Sequence, residues 1–195
     1  MKYSNNYIGM TRDELITCVK NQMSEKRFRH VLGVEKAAVF LAKKNGVSEE
    51  EASIAALTHD YAKERSSEEF QECIRQENFD LDLLNWGNQI WHGLVGANFV
   101  KKELGITDEG ILQAIRLHTT GAAEMTLLDQ VIFVADYIEE GRNFPGVEKA
   151  RELASKNLQE AVAFETKHTL AHLIEKELPI YPKTLETYNK WVAKK

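Results

Sequence analysis

Nowhere in these 195 residues do apolar and polar positions alternate over the length of a strand, while helix start and stop signals recur from end to end. Only three prolines interrupt the pattern. Thr11 with Glu14, and Ser48 with Glu51, have the spacing of capping boxes. Ser24 suits the start of a helix running to about Asn45, which Gly46 then ends. Ser67 opens a short helix through Cys73, followed by a less regular stretch around 80–87. Helical patterns continue over 89–104, 108–118 and 125–140, then 148–178 in two pieces, and finally 184–195. The expectation is an all-α fold of roughly eight to ten helices. It comprises a polar N-terminal leader over 1–10 and one domain over 11–195.

Composition removes several classes of function. The formal charge of −5, with both signs interleaved, offers no electrostatic footprint for nucleic acid or an anionic membrane. The uninterrupted apolar runs are far too short to span a bilayer. Met1 to Met10 is polar, without the apolar stretch of a signal peptide. Cys18 and Cys73 are far apart and in no C-x-x-C motif, so reduced thiols are expected rather than a disulfide framework. These features describe a cytoplasmic globular protein with neither a nucleic-acid nor a membrane partner.

The chemistry centres on His59-Asp60, in the run Ala-Ala-Leu-Thr-His-Asp-Tyr-Ala-Lys. His30, His92, His118 and Asp136 also lie in or beside apolar, helix-patterned segments, where an unpaired polar group is costly to bury. Six such residues suggest one shared site. Adjacent residues point about 100° apart on a helix, so His59 and Asp60 reach one ion only near a helix end. Imidazole mixed with carboxylate suits zinc, iron or manganese rather than a structural thiolate site. His30, His59, Asp60 and Asp136 suffice for one ion. His92 and His118, with Asp60 bridging, complete a second, and paired metals are a standard arrangement for hydrolysing phosphate esters and anhydrides. Asp129 shares a helix face with Asp136 and is the rival ligand. The setting Val-Ile-Phe-Val-Ala-Asp makes 136 the more embedded acid, leaving Asp129 as a cap or an outer partner. His168 and His172, four residues apart, read as a partly exposed helix face.

The blocks Arg29-His30-Val31-Leu32-Gly33-Val34-Glu35, His59 to Lys63, His92-Gly93 with Gly96-Ala97, Ala114 to Gly121 and Asp136 to Arg142 resemble the HD superfamily of metal-dependent phosphohydrolases. Within it, the blocks are similar to the YqeK family. The resemblance spans about 28 to 145; the leader and the helices after Glu148 carry no motif. It implies an HD-type helical fold around two transition-metal ions, iron first, with manganese or zinc as alternatives. It also implies symmetrical hydrolysis of dinucleoside tetraphosphates by a metal-bound hydroxide, diadenosine tetraphosphate giving two ADP, with a GDP-like product equally accommodated.

The resemblance places metal ligands at His30, His59, Asp60, His92, His118 and Asp136. Nucleotide contacts fall at Asp60, Tyr61, Ala62, Lys63, His118, Asp136 and Arg142. Asp60, Lys63 and Arg142 are the expected catalytic residues, Lys63 offering phosphate a point charge and Arg142 a planar fork. Thr119, Thr120 and Gly121 read equally as phosphate donors or as a plain loop. The apolar faces of the C-terminal helices suit either intramolecular packing or a homodimer. Other HD-type nucleotide phosphohydrolases or phosphodiesterases, and a metal-dependent nucleotide-binding protein without turnover, are the alternative readings.

Overall fold

The first N–H groups of a helix have no partner within it, and most helices here take an acceptor from a short polar side chain just ahead. Thr11 and Glu14 form the expected box at the start of α1 (Arg12–Lys20). Ser24 caps α2 (Glu25–Asn45), and Gly46 ends it in the left-handed conformation. Ser48 caps α3 (Glu49–Thr58) through the Glu51 amide alone, without the reciprocal arm of a box. The next box uses Ser66 with Glu69, one residue ahead of the expected Ser67, and carries α4 (Ser67–Gln76) beyond Cys73. A 3₁₀ turn, Leu81–Asn85, occupies the less regular stretch.

The computed structural model describes residues 1–4 and 6–194. Among the described residues it contains eleven α-helices and no strand. The count exceeds ten because 89–104 is two helices, α5 (Asn88–Leu94) and α6 (Gly96–Leu104), parted at Val95. Gly93 and Gly96 flank the break and weaken helix propensity on both sides. α7 (Glu109–Leu117) and α8 (Leu127–Ile138) follow, then α9 (Val147–Ala154), α10 (Leu158–Glu175) and α11 (Pro182–Trp191). The last helix was expected over 184–195; it starts two residues earlier, with Pro182 in its first turn, and position 195 lies outside the described residues.

α2 packs along α3 and α8, and α7 packs against α3, α5, α6 and α8, so all five helix segments that carry the expected ligands converge. α3 has small or apolar residues on every side from Ala52 to Thr58, all of them buried, as a helix enclosed by neighbours requires. Val34, Leu57, Leu112, Ile115 and Ile132 lie in the core between these helices. A second cluster around Phe70, Ile74, Leu83 and Trp91 supports α5 from the other side. The polar leader is tied down. The Tyr3 hydroxyl lies 2.7 Å from Ser53 Oγ, which donates to Glu35 (2.5 Å), itself held bidentately by Arg12. No helix among the described residues is long and apolar enough to cross a membrane.

α11 fastens the loop that follows α7. Thr187 Oγ1 donates to the Thr120 carbonyl (2.9 Å), and Trp191 Nε1 to that of Ala122 (2.9 Å). Gly121 sits between them at φ +62°, where a Cβ would lie 2.6 Å from Thr187 Cγ2. Gly121→Ala combines a disfavoured backbone with a clash, so it should cost roughly 1–3 kcal/mol in denaturant unfolding. Hydrogen exchange should localise the loosening to α11.

Candidate metal centre

The last carbonyls of a helix lack an N–H partner, and two of the expected ligands use this. His59 is the residue closing α3, and its Nδ1 donates to the Ala56 carbonyl three residues back (2.6 Å). His118 closes α7 in the same way, on Ile115 (2.7 Å). In the last turn of α5, His92 Nδ1 donates to Asn88 (2.5 Å). His30, on α2, donates its Nδ1 to the Glu139 carboxylate (3.1 Å). Carbonyls and carboxylates only accept, so all four rings carry the proton on Nδ1 and turn the Nε2 lone pair inward.

Asp60 lies among these nitrogens. Its Oδ2 is 3.7 Å from His30 Nε2 and 3.5 Å from His59 Nε2; its Oδ1 is 3.5 Å from His92 Nε2 and 3.9 Å from His118 Nε2. Asp136 Oδ1 joins the His30 side at 3.0 Å. The six residues therefore form overlapping triads: His30, His59 and Asp60; His59, His118 and Asp136; Asp60, His92 and His118. The donor set fits a divalent ion on more than residue type. His59 Nε2 is buried without a hydrogen-bond partner, a costly arrangement for a group that is not a ligand. His92 and His118 turn their Nε2 atoms to within 3.1 Å of each other. With both protons on Nδ1, two lone pairs face one another, which a shared cation relieves.

Burial, with repulsion from His118 and Lys63, pushes His92 down to about 3, and burial, with repulsion from His59, pushes His118 to about 4, keeping both imidazoles neutral and able to ligate. Burial would raise Asp60, but His59, His92 and His118 outweigh it and hold the carboxyl well below its usual range. Asp136 is likewise held low against its burial, by His30, His59 and Arg142. For His59 burial works downward, yet Asp60 and Asp136 leave it raised.

Other expected residues are placed as follows. Lys63 is within reach, its Nζ 3.3 Å from His92 Nε2, and burial lowers its pKa. Arg142 grips Asp136 by the carboxylate (2.5 Å) and the carbonyl (2.9 Å). Tyr61 turns away, its hydroxyl donating to Glu103 (2.8 Å), and Ala62 packs against Gly96. Their side chains are not brought to the centre. Asp129 is the reciprocal arm of the capping box that Thr126 opens on α8, accepting from the Thr126 amide (2.7 Å). The premise used to rank the two acids fails, however: Asp129 is fully buried, whereas the Asp136 side chain is 22% exposed. Asp136 is at the centre because its position on α8 faces His30, not because it lies deeper. His168 and His172 are exposed and belong to no ligand group; His168 stacks on Phe164.

Arg27 was missed. One turn before His30 on α2, its Nη1 donates to Asp60 Oδ2 (2.8 Å). Spacing of three residues from a candidate ligand was the available signal. Thr119, left open in the sequence, places its hydroxyl 3.2 Å from His92 Nε2 and 3.1 Å from His118 Nε2.

Two clefts border the centre at opposite ends. One, of about 760 Å³, is lined by Arg27, Arg29, His30, Glu139 and Arg142. The other, of about 410 Å³, is lined by Thr119, Thr120, Trp86, Ile90, Leu173 and Tyr181, with the Trp86 and Tyr181 rings edge to face.

The HD-domain family model matches residues 27–141. The chain is 46% identical over 184 residues to the symmetrical bis(5'-nucleosyl)-tetraphosphatase of Bacillus subtilis, covering 94% of this chain and 98% of the relative. It is 37% identical to the enzyme of the same name from Staphylococcus aureus, over 87% and 89% of the two chains. A solved structure from Clostridium acetobutylicum, of a protein described as a predicted HD superfamily hydrolase involved in NAD metabolism, superimposes with a TM-score of 0.85 at 36% identity, over 93% and 97% of the chains.

Two measurements test the centre. Asp60→Asn should strip bound divalent metal, read by elemental analysis, while circular dichroism stays helical. In the metal-free protein, His92 and His118 bind protons only far below 6.5, where unfolded histidine already charges. The unfolded state therefore takes up protons first at these two sites, while His59 and Glu165, both raised in the folded state, work the other way and offset part of the loss. Stability of the chelated protein should fall as pH drops from about 6.5 towards 4.

Proposed function

Since the chain belongs to the HD-domain family of hydrolases and, within it, to the symmetrical bis(5'-nucleosyl)-tetraphosphatases, we propose that it cleaves dinucleoside tetraphosphates at the central anhydride, diadenosine tetraphosphate giving two ADP. The observation that carries this reading is the division of Asp60 between two imidazole pairs, one carboxylate oxygen to each. His30, His59, Asp60 and Asp136 would hold one divalent ion, and His92 and His118, sharing Asp60, would hold a second. The family depends on a divalent metal; we assign two ions, iron in the first place, to a nitrogen and oxygen set that manganese or zinc also suits.

Bound metals of this kind supply Lewis acidity to phosphoryl oxygens and lower the pKa of water to make a nucleophile. The side chains do the rest. Water adds at one inner phosphorus, the central P–O–P bond breaks, and a nucleoside diphosphate departs carrying the developing negative charge. Arg27 and Arg142, at the rim of the larger cleft, face that charge with guanidinium groups already oriented by Asp60 and Asp136. Lys63 and the Thr119 hydroxyl stand at the His92–His118 end, where they can donate to the opposite half of the chain.

The two clefts give a symmetric substrate a seat on each side of the scissile bond. We place one nucleoside diphosphate half in the cleft beside Arg27 and Arg142. The other half takes the apolar one, its base against Trp86 and Tyr181. The substrate is a soluble metabolite, and we place the protein in the cytoplasm.

Product analysis of diadenosine tetraphosphate decides the reading. ADP as sole product, abolished by chelation, is expected. ATP with AMP would move the cleavage position, and no turnover by metal-loaded protein would favour a different phosphohydrolase of this family. Arg27→Ala and Arg142→Ala should each lower kcat/KM by about 100-fold with metal content unchanged.

A further inference from the structure

Three of the four imidazoles are oriented by backbone carbonyls, which no side-chain substitution removes. His30 is the exception. Its Nδ1 partner is the carboxylate of Glu139, which lies 109 positions away in sequence and closes α8.

The surroundings of Glu139 are shaped to keep that carboxylate in place. Oε2 accepts from the Gly141 amide (2.5 Å), leaving Oε1 for His30. Gly33 stands one turn after His30 on the same face of α2, and a Cβ there would lie 2.5 Å from Oε2. A Cβ on Gly141 would lie 3.0 Å and 3.1 Å from the two oxygens. Arg151 fixes the backbone of this corner, donating to the carbonyls of Ile138, Glu139 and Arg142. Glu139 is almost fully buried, and both of its oxygens are engaged away from the ligand atoms, so it is not itself a ligand.

We propose that Glu139 is the positioning residue of His30: it holds the ring in the Nδ1–H tautomer and sets the affinity of the metal position that His30 serves, while Gly33 and Gly141 are glycines because the carboxylate fills the space of their side chains. A carboxylate behind an imidazole raises its basicity and fixes its direction, and loss of such a partner typically weakens metal binding by about 10–100-fold. Because the other three rings draw on backbone acceptors, the effect is confined to one position. This inference rests on the metal-centre reading and is independent of which phosphate compound is cleaved.

The test uses the full-length protein with Mn²⁺ as probe. Glu139→Gln keeps the shape and an acceptor but removes the charge. Gly33→Ala leaves Glu139 present but expels it. Both should weaken one Mn²⁺ site by about 10–100-fold in calorimetric titration and leave the other unchanged. Ring ¹⁵N shifts of His30 in the chelated protein should move from the Nδ1–H tautomer towards a mixture in Gly33→Ala. Wild-type Mn²⁺ affinity in both variants, even with lowered thermal stability, would reduce Glu139 to a structural cap and overturn the proposal. Failure to hydrolyse diadenosine tetraphosphate would leave these readouts untouched.

Discussion

The structure is organised around one buried carboxylate. Asp60 is almost completely removed from solvent, and a lone ionised group there would be prohibitive. It is tolerable because imidazoles surround it and Arg27 reaches it from the rim. Each imidazole in turn is fixed by the hydrogen bond its Nδ1–H donates. Two of those bonds go to carbonyls that a helix end would otherwise leave unpaired. The ends of α3 and α7 thus solve two problems with one bond: they cap a helix and aim a ligand.

Convergence of five helix segments demands close approach, and that explains features away from the ligands. A Cβ on Gly93 would stand 3.2 Å from the Arg116 carbonyl and from Thr119 Oγ1. Without one, α5 can lie against the end of α7, bringing His92 to His118. The second cleft depends on residues beyond 141, where the HD match stops: Leu173, Leu178, Tyr181 and Thr184 form much of its wall. α11 also secures the loop that carries Thr119. The C-terminal helices, silent in sequence motif, therefore shape the cleft at the His92–His118 end of the centre.

Several local readings were legible because the physics behind them is local. The box at Thr11, the caps at Ser24 and Ser48 and the stop at Gly46 involve partners within four residues. The break at Val95 was less visible, since two glycines weaken a helix without ending it. Tyr61 shows the opposite failure. It sits next to Asp60 in sequence, yet the 100° step around a helical turn sends its ring to Glu103 on another helix. Depth could not be read either: the apolar run before Asp136 suggested a buried acid, and Asp129 is the deeper one.

Residue types and their spacing were enough to determine that this chain is helical and to single out His30, His59, Asp60, His92, His118 and Asp136 as one set of candidate ligands at helix ends and faces. Donor type and helical period are properties of the residues themselves. Which oxygen of Asp60 meets which imidazole, that Arg27 joins it, that Glu139 stands behind His30 and that Trp86 meets Tyr181 were decided only by the tertiary structure. Those pairs are up to 109 residues apart, and their meeting depends on how whole helices cross, which packing fixes and no local pattern encodes.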